Sequence, residues 1–226
     1  MDDLFDRVAS FFVRALMFFF RRLPTGLGLS LGKAFGHLAF FFSKKRKVAY
    51  VNLKNALGDK FSAKERCTIV YDHFGHMGQM IAEILGPPLT RQYSDEHIAV
   101  HHPEHLDAVM KSGKGIVFLT AHMGNWELLG LWGGLNGIAL HVLGNVQKYP
   151  RLNGLLNQFR ETNGAVAINR GAGVRALFRA LREKKKVGAL GDQSAGKDGG
   201  ILLPFFGRRT TVPDGIYELA HRANAV

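Results

Sequence analysis

The sequence is poor in cysteine. Its 226 residues contain one, Cys67, which excludes an intrachain disulfide and any cysteine-based zinc cluster. The simplest expectation for this lone thiol is a small buried hydrophobe. Acidic side chains are also scarce: 18 Asp and Glu stand against 30 Lys and Arg, for a formal charge of +12. That balance favours an anionic partner, whether nucleic acid, anionic lipid or an acidic protein. There is no internal repeat and no low-complexity tract. The start, Met1-Asp2-Asp3, is acidic rather than basic and no small-residue cleavage site follows, so no cleavable signal peptide is expected. An uninterrupted apolar span of about 20 residues is also missing.

Apolar residues are nonetheless abundant, at 46% against 21% charged, which supplies a real core and excludes a disordered chain. They gather first at the N-terminus. Phe11-Phe12-Val13 and Met17-Phe18-Phe19-Phe20 flank Arg14, and Arg21-Arg22 follow. A second apolar run, Leu23 to Phe42, is broken by Lys33 and His37 and ends at Ser43-Lys44-Lys45-Arg46-Lys47. Apolar segments ending in basic clusters suit helices that lie on, or insert shallowly into, a membrane surface with their cations at the headgroups. An amphipathic helical hairpin packed on the rest of the chain is the alternative.

From Lys47 to Leu85 the pattern is helical. Ser62 and Glu65 have the spacing of a capping box, and Ile69, Val70, Phe74, Met77, Met80, Ile81 and Ile84 keep a helical period. Beyond Gly86-Pro87-Pro88 and from about His97, strand and helix signals alternate. Strands are expected at Gly115–Thr120, Leu140–Leu143, Ala165–Ile168 and Lys186–Leu190. Helices are expected at Glu127–Leu135, Pro150–Asn163, Gly173–Glu183 and Asp214–Arg222. This rhythm predicts an α/β fold, a mixed sheet flanked by helices, preceded by the N-terminal helical membrane-associating region. Asn224-Ala225-Val226 resembles the start of another strand, so the chain is expected to be truncated at its C-terminus. The expected divisions are 1–47 (apolar and basic helices), 48–96 (a helical segment packed on the following domain) and 97–226 (the α/β core).

Two histidines have an acid five residues on: His102 with Asp107, and His122 with Glu127. Pro103 suits a first helical position, which makes His102 the cap of a polar surface helix. His97, His101, His102 and His105 have partial helical spacing, but Pro103 interrupts a single helix, and no metal site is expected. His122 directly follows a buried-type strand and precedes a helix start, where active sites of α/β sheets gather. Five residues along a regular helix would separate the two side chains by about 140°. His122 is therefore expected on the turn, with Glu127 in the first helical turn folding back to accept the imidazole N–H and raise its basicity. A capped helix with a satisfied histidine is the structural alternative.

The run Thr120-Ala121-His122-Met123-Gly124-Asn125-Trp126-Glu127 resembles the signature of the lipid A biosynthesis late acyltransferases. These lauroyl and myristoyl transferases belong to the wider glycerophospholipid acyltransferase superfamily, marked by His-x-x-x-x-Asp/Glu. Asn169-Arg170, Gly191-Asp192-Gln193, Leu203-Pro204-Phe205-Phe206-Gly207 and Val48-Ala49-Tyr50-Val51-Asn52-Leu53 add to the resemblance. It implies acyl transfer from a thioester to a hydroxyl of a lipid A precursor, with His122 and Glu127 catalytic and no acyl-enzyme. It further implies substrate binding by Arg170, Asp192, Asn125, Gln193 and Arg208. For Arg170 a structural ion pair, for Asp192 a turn, and for Arg208 and Arg209 solvated charge are the alternatives. Phe205 and Phe206 either meet acyl chains or pack in the core. No cofactor is implied, only acyl-acyl carrier protein or acyl-CoA as cosubstrate. The implied partners are a phosphorylated glycolipid acceptor, acyl carrier protein and an anionic membrane, at the cytoplasmic face of a bacterial inner membrane. No nucleic acid is expected, because the basic residues cluster beside apolar runs. The stretch from Arg208 to Gly215 is more charged than the family's usual one, which leaves another acceptor open, such as a phosphatidylinositol mannoside. A noncatalytic membrane-binding protein of the same fold is a further alternative.

Overall fold

The computed structural model describes residues 2–144, 148–162, 164–196 and 199–226, with the side chains of 169–172 outside the described set. Helices α1 (Asp2–Phe20), α2 (Thr25–Phe42), α3 (Lys45–Leu57), α4 (Ala63–Leu85), α5 (Arg91–His97) and α6 (Pro103–Met110) come first. Then follow β1 (Ile116–Thr120), α7 (Trp126–Leu135), β2 (Leu140–Gly144), α8 (Pro150–Glu161), β3 (Val166–Asn169), α9 (Arg170–Arg182) and β4 (Lys186–Leu190). Strands β5 (Ile201–Phe205) and β6 (Arg208–Val212) and helix α10 (Gly215–Ala223) complete the order. The chain divides into two compact units: residues 1–13, 89–201 and 211–226, and residues 14–88 and 202–210.

The first unit is built on a four-stranded sheet in the order β1-β4-β2-β3. A mixed sheet was the expectation; all three pairings are parallel. The reason is connectivity, since α7, α8 and α9 each sit between successive strands and provide the crossovers that parallel neighbours need. Helix α9 covers one face through Leu177, Ala180 and Leu181, which pack with Val187 of β4 and Ala223 of α10. Val187 is fully buried, and Val117, Ile168, Ile216 and Leu219 close around this core. Val226 donates to the Gly115 carbonyl at 2.9 Å and accepts from the Val117 N–H at 2.7 Å. This is the bracketing pattern of a parallel neighbour on the free edge of β1. β5 and β6 form a separate two-stranded ribbon, which the sequence reading did not anticipate.

In the second unit α2 and α4 pack closely because small residues face each other. A Cβ added at Gly36 would stand 2.1 Å from the Phe74 carbonyl oxygen, and one at Gly32 would stand 2.6 Å from that of Gly78. The turn into α4 carries the expected capping box: Ser62 Oγ accepts from the Glu65 N–H at 3.3 Å, and Glu65 Oε2 accepts from the Ser62 N–H at 2.7 Å. Buried Arg66 ties the preceding loop by donating to the carbonyls of Gly58 and Phe61. Cys67, expected inside, is exposed; the buried positions of α4 include Arg66 and Val70, and residue 67 lies outside that stripe. Phe11, Phe12, Phe18 and Phe19 of α1 and Phe35, Leu38, Phe41 and Phe42 of α2 are exposed. No described helix is long and apolar enough to cross a membrane.

Candidate active site

β1 and β4 are neighbours in register, with Thr120 opposite Leu190. Continuing that register two residues past each strand sets His122 opposite Asp192. The Gly191 N–H donates to the Thr120 carbonyl at 3.1 Å and carries the pairing onto the turn. The Asp192 carboxylate then accepts twice from His122: from the backbone N–H at 2.9 Å on Oδ2, and from Nδ1 of the ring at 2.7 Å on Oδ1. Burial by itself would raise the Asp192 carboxyl, but the ring and backbone donors of His122 outweigh it and hold the carboxyl below its ordinary value. An ionised carboxylate only accepts, so Nδ1 carries a proton, and in the neutral ring Nε2 is then the nitrogen that presents a lone pair. The two side chains are 28% and 38% exposed, which leaves the ring reachable from solvent. Trp126 walls one side, its ring centroid 4.9 Å from the imidazole in an edge arrangement.

Glu127 does not fold back onto His122. Asn125 caps α7, its side-chain oxygen accepting from the Leu128 N–H at 3.1 Å, so α7 starts at Trp126 and Glu127 lies in its first turn. Its carboxylate instead accepts a two-point contact from the Arg160 guanidinium, Nε to Oε2 at 2.9 Å and Nη2 to Oε1 at 2.5 Å. The pair is mostly buried, at 13% exposed for Glu127 and 19% for Arg160. A carboxylate that far from water requires a matched cation, whereas the imidazole is already satisfied across the sheet. Gly124 has φ of +63°, yet a Cβ there would meet nothing within 4 Å. Glycine is thus needed for the conformation of the turn, and not for space.

Arg160 is positioned from a distance. It sits near the C-terminal end of α8, whose N-cap, Tyr149, makes no side-chain cap. The cap comes from α1: Asp6, 2% exposed, accepts from the N–H groups of Arg151 at 2.9 Å and Leu152 at 3.3 Å. Arg151 also bonds Asp3 at 2.6 Å. A buried carboxylate at a helix N-terminus satisfies free N–H groups and meets the positive end of the dipole.

Of the other sequence-derived residues, Gln193 is exposed beside Asp192. The Arg170 side chain is outside the described residues. Arg208 belongs to the second unit, where it donates to Asn55 at 3.4 Å. Asn125 acts as a helix cap. Arg160 was missed, since an arginine in an amphipathic helix carries no local mark of a buried partner 33 residues away. His102 does occupy the N-cap of α6, but without a side-chain cap bond; its ring is 3.1 Å from Glu104. His102, Glu104 and His105 form the one group of three potential ligand side chains among the described residues, and all three are exposed.

A histidine held by a strand-end carboxylate at the carboxyl edge of a parallel sheet, its Nε2 without a hydrogen-bond partner among the described residues, has the geometry that general-base chemistry needs. The chain belongs to the bacterial lipid A biosynthesis acyltransferase family, whose model matches residues 4–226. It is similar to a phosphatidylinositol mannoside acyltransferase of Mycobacterium tuberculosis (strain ATCC 25618 / H37Rv), 28% identical over 125 residues, covering 54% of this chain and 40% of the relative. A protein of the same description from Mycolicibacterium smegmatis (strain ATCC 700084 / mc(2)155) is 25% identical over 143 residues, covering 62% and 47%. The chain thus spans less than half the length of these curated relatives.

Proposed function

We propose that this protein transfers a fatty acyl chain from an acyl thioester to a hydroxyl of a phosphorylated glycolipid at an anionic membrane surface. The observation that carries the reading is the Asp192–His122 pair, which leaves Nε2 as the acceptor for a substrate proton. In the reaction, Nε2 takes the proton of the acceptor hydroxyl as its oxygen attacks the thioester carbonyl. The tetrahedral intermediate collapses, the carbon–sulfur bond breaks, and the imidazolium returns the proton to the departing thiolate. The products are an ester and a free thiol, with no acyl-enzyme. Asp192 fixes the tautomer and stabilises the imidazolium as it forms. Glu127, neutralised by Arg160, acts on the shape and charge of the turn that carries His122.

The donor is an acyl-acyl carrier protein or acyl-CoA, and the charge of +12 suits the acidic carrier. Arg170 and Gln193 are assigned to the substrate's polar groups. Location at the cytoplasmic face of a bacterial inner membrane follows from the same reading, with the exposed phenylalanines of α1 and α2 on the lipid. A lipid A precursor is the acceptor implied by the family's description. A phosphatidylinositol mannoside is the second reading, favoured by what the mycobacterial relatives are called.

The test is acyl transfer by membranes containing the full-length protein. Labelled acyl-acyl carrier protein is supplied with each acceptor in turn, and wild type is compared with His122→Ala at matched protein level. Loss of transfer in the variant supports the base. Transfer that survives the substitution refutes it.

A further inference from the structure

The β5–β6 ribbon takes no part in the chemistry described above. Its turn is Phe206-Gly207, with φ of 50° and 70°, the two-residue geometry with positive φ at both positions that matches strand twist. Asn, Asp or Gly is the easy occupant of the first position, and a bulky aromatic there is strained. Every residue of β5 is exposed, with Phe205 at 64% and Phe206 at 54%. Their rings meet edge-on, with centroids 4.6 Å apart. A two-stranded ribbon is marginal in water by itself, and clustered exposed apolar side chains mark an interaction surface. Arg208 and Arg209 follow the turn directly and are both exposed. Arg208 reaches Asn55 of α3 in the same unit. Val48, Val51 and Asn55 share one face of α3 by their spacing, both valines are exposed, and Lys45, Arg46 and Lys47 form the first turn of that helix after Lys44.

We propose that the β5–β6 hairpin is a lipid-inserting wedge, with Phe205 and Phe206 entering the acyl region of an anionic bilayer and Arg208 and Arg209 stopping at its phosphates. Charge complementarity selects the anionic lipid: two cations follow the apolar tip on the ribbon, and three more fill the first turn of α3. A partner strand is disfavoured because Pro204 within β5 lacks the N–H that an extended ladder would use. The proposal rests on the membrane-surface reading above and adds a contact separate from the N-terminal helices.

The test uses the full chain in a Cys67→Ser background, with Phe206→Cys carrying an environment-sensitive NBD label. Phosphatidylcholine vesicles are used with and without phosphatidylglycerol. Insertion shifts NBD emission to the blue on the anionic vesicles and exposes it to quenching by brominated acyl chains. Arg208→Ala with Arg209→Ala weakens vesicle binding about thirty-fold, from about a factor of five per cation at the headgroups. Phe206→Asn relieves the backbone strain, so the hairpin folds at least as well while vesicle affinity falls. Protein that sediments with anionic vesicles while its label keeps an aqueous emission overturns the wedge and leaves the membrane reading standing. Protein that does not sediment with them at all overturns both. Unchanged vesicle affinity in the arginine variant, with transfer lost only from the acyl-acyl carrier protein, overturns it in favour of carrier docking.

Discussion

Arg160→Met separates a buried ion pair and leaves the Glu127 carboxylate without its cation. The cost can be worked from the contact. Two nitrogen–oxygen bonds at 2.9 and 2.5 Å are lost, and Glu127 has little water to replace them at 13% exposure. Breaking a buried pair by removing one partner costs about 3–5 kcal/mol, and the residual exposure argues for the lower end. At roughly 2–4 °C per kcal/mol for a chain of this size, a loss of about 3 kcal/mol lowers the melting midpoint by roughly 6–12 °C. Glu127→Gln combined with Arg160→Met removes both charges, so the double variant should be less destabilised than Arg160→Met. Each single substitution removes the same pair, which makes the effects non-additive by at least about 1 kcal/mol. The assay is urea unfolding at neutral pH followed by tryptophan fluorescence, because Trp126 and Trp132 lie on α7 beside Glu127. A loss below about 0.5 kcal/mol in Arg160→Met, or single effects that simply add, would falsify the argument that this pair holds the turn.

Asp192→Asn should lower kcat by about 10³–10⁴-fold while KM changes little, because the amide no longer fixes the ring with its proton on Nδ1; a loss confined to KM would reassign Asp192 to substrate binding. The Asp192 carboxyl is held low in the folded state, so its contribution to stability is fully present above the ordinary carboxylate range. It is lost as pH falls through the depressed folded value. Acid titration of wild type against Asp192→Asn should therefore show an extra drop in wild-type stability below about pH 4, and parallel curves would refute it. Asp6→Ala should destabilise the first unit by about 2 kcal/mol, as expected for loss of a helix cap together with a charged partner; hydrogen exchange of the first α8 amides reads it directly, and unchanged protection would exclude the capping role. Gly36→Ala should cost about 1–3 kcal/mol through overpacking of α2 on α4, and a neutral result in urea unfolding would show that the two helices separate freely.

The strands of the main sheet were legible because each is a short apolar run between turn signals. β1, β2, β3 and β4 fall within a residue or two of their expected places. The Ser62–Glu65 cap was legible because both partners lie within one turn. The partner of His122 was not. Sequence proximity favoured Glu127, five residues away, whereas the bond runs to Asp192, 70 residues on. The resemblance did place Asp192 in the site, but only knowledge that β1 pairs with β4 would have made it the partner of His122, and strand order is set by crossovers that no local pattern encodes. Arg160 escaped for the same reason. The ribbon was hidden by Pro204 and by its exposed apolar residues, which lack the alternation of a half-buried strand.

The pairing of His122 with Asp192 has a consequence for how this chain tolerates insertion and deletion. The bond is a product of strand register, so the loops that join the later elements can gain or lose length without moving either partner, whereas α7 and α8 must keep Glu127 facing Arg160. A single residue deleted within Lys186–Leu190 is different. It either slips the ladder, turning Val187 out of the core, or draws Asp192 one position back along the strand and out of reach of the ring. The site therefore tolerates length changes in the connecting loops, and almost none in the few residues that count out the distance from the strand to the carboxylate.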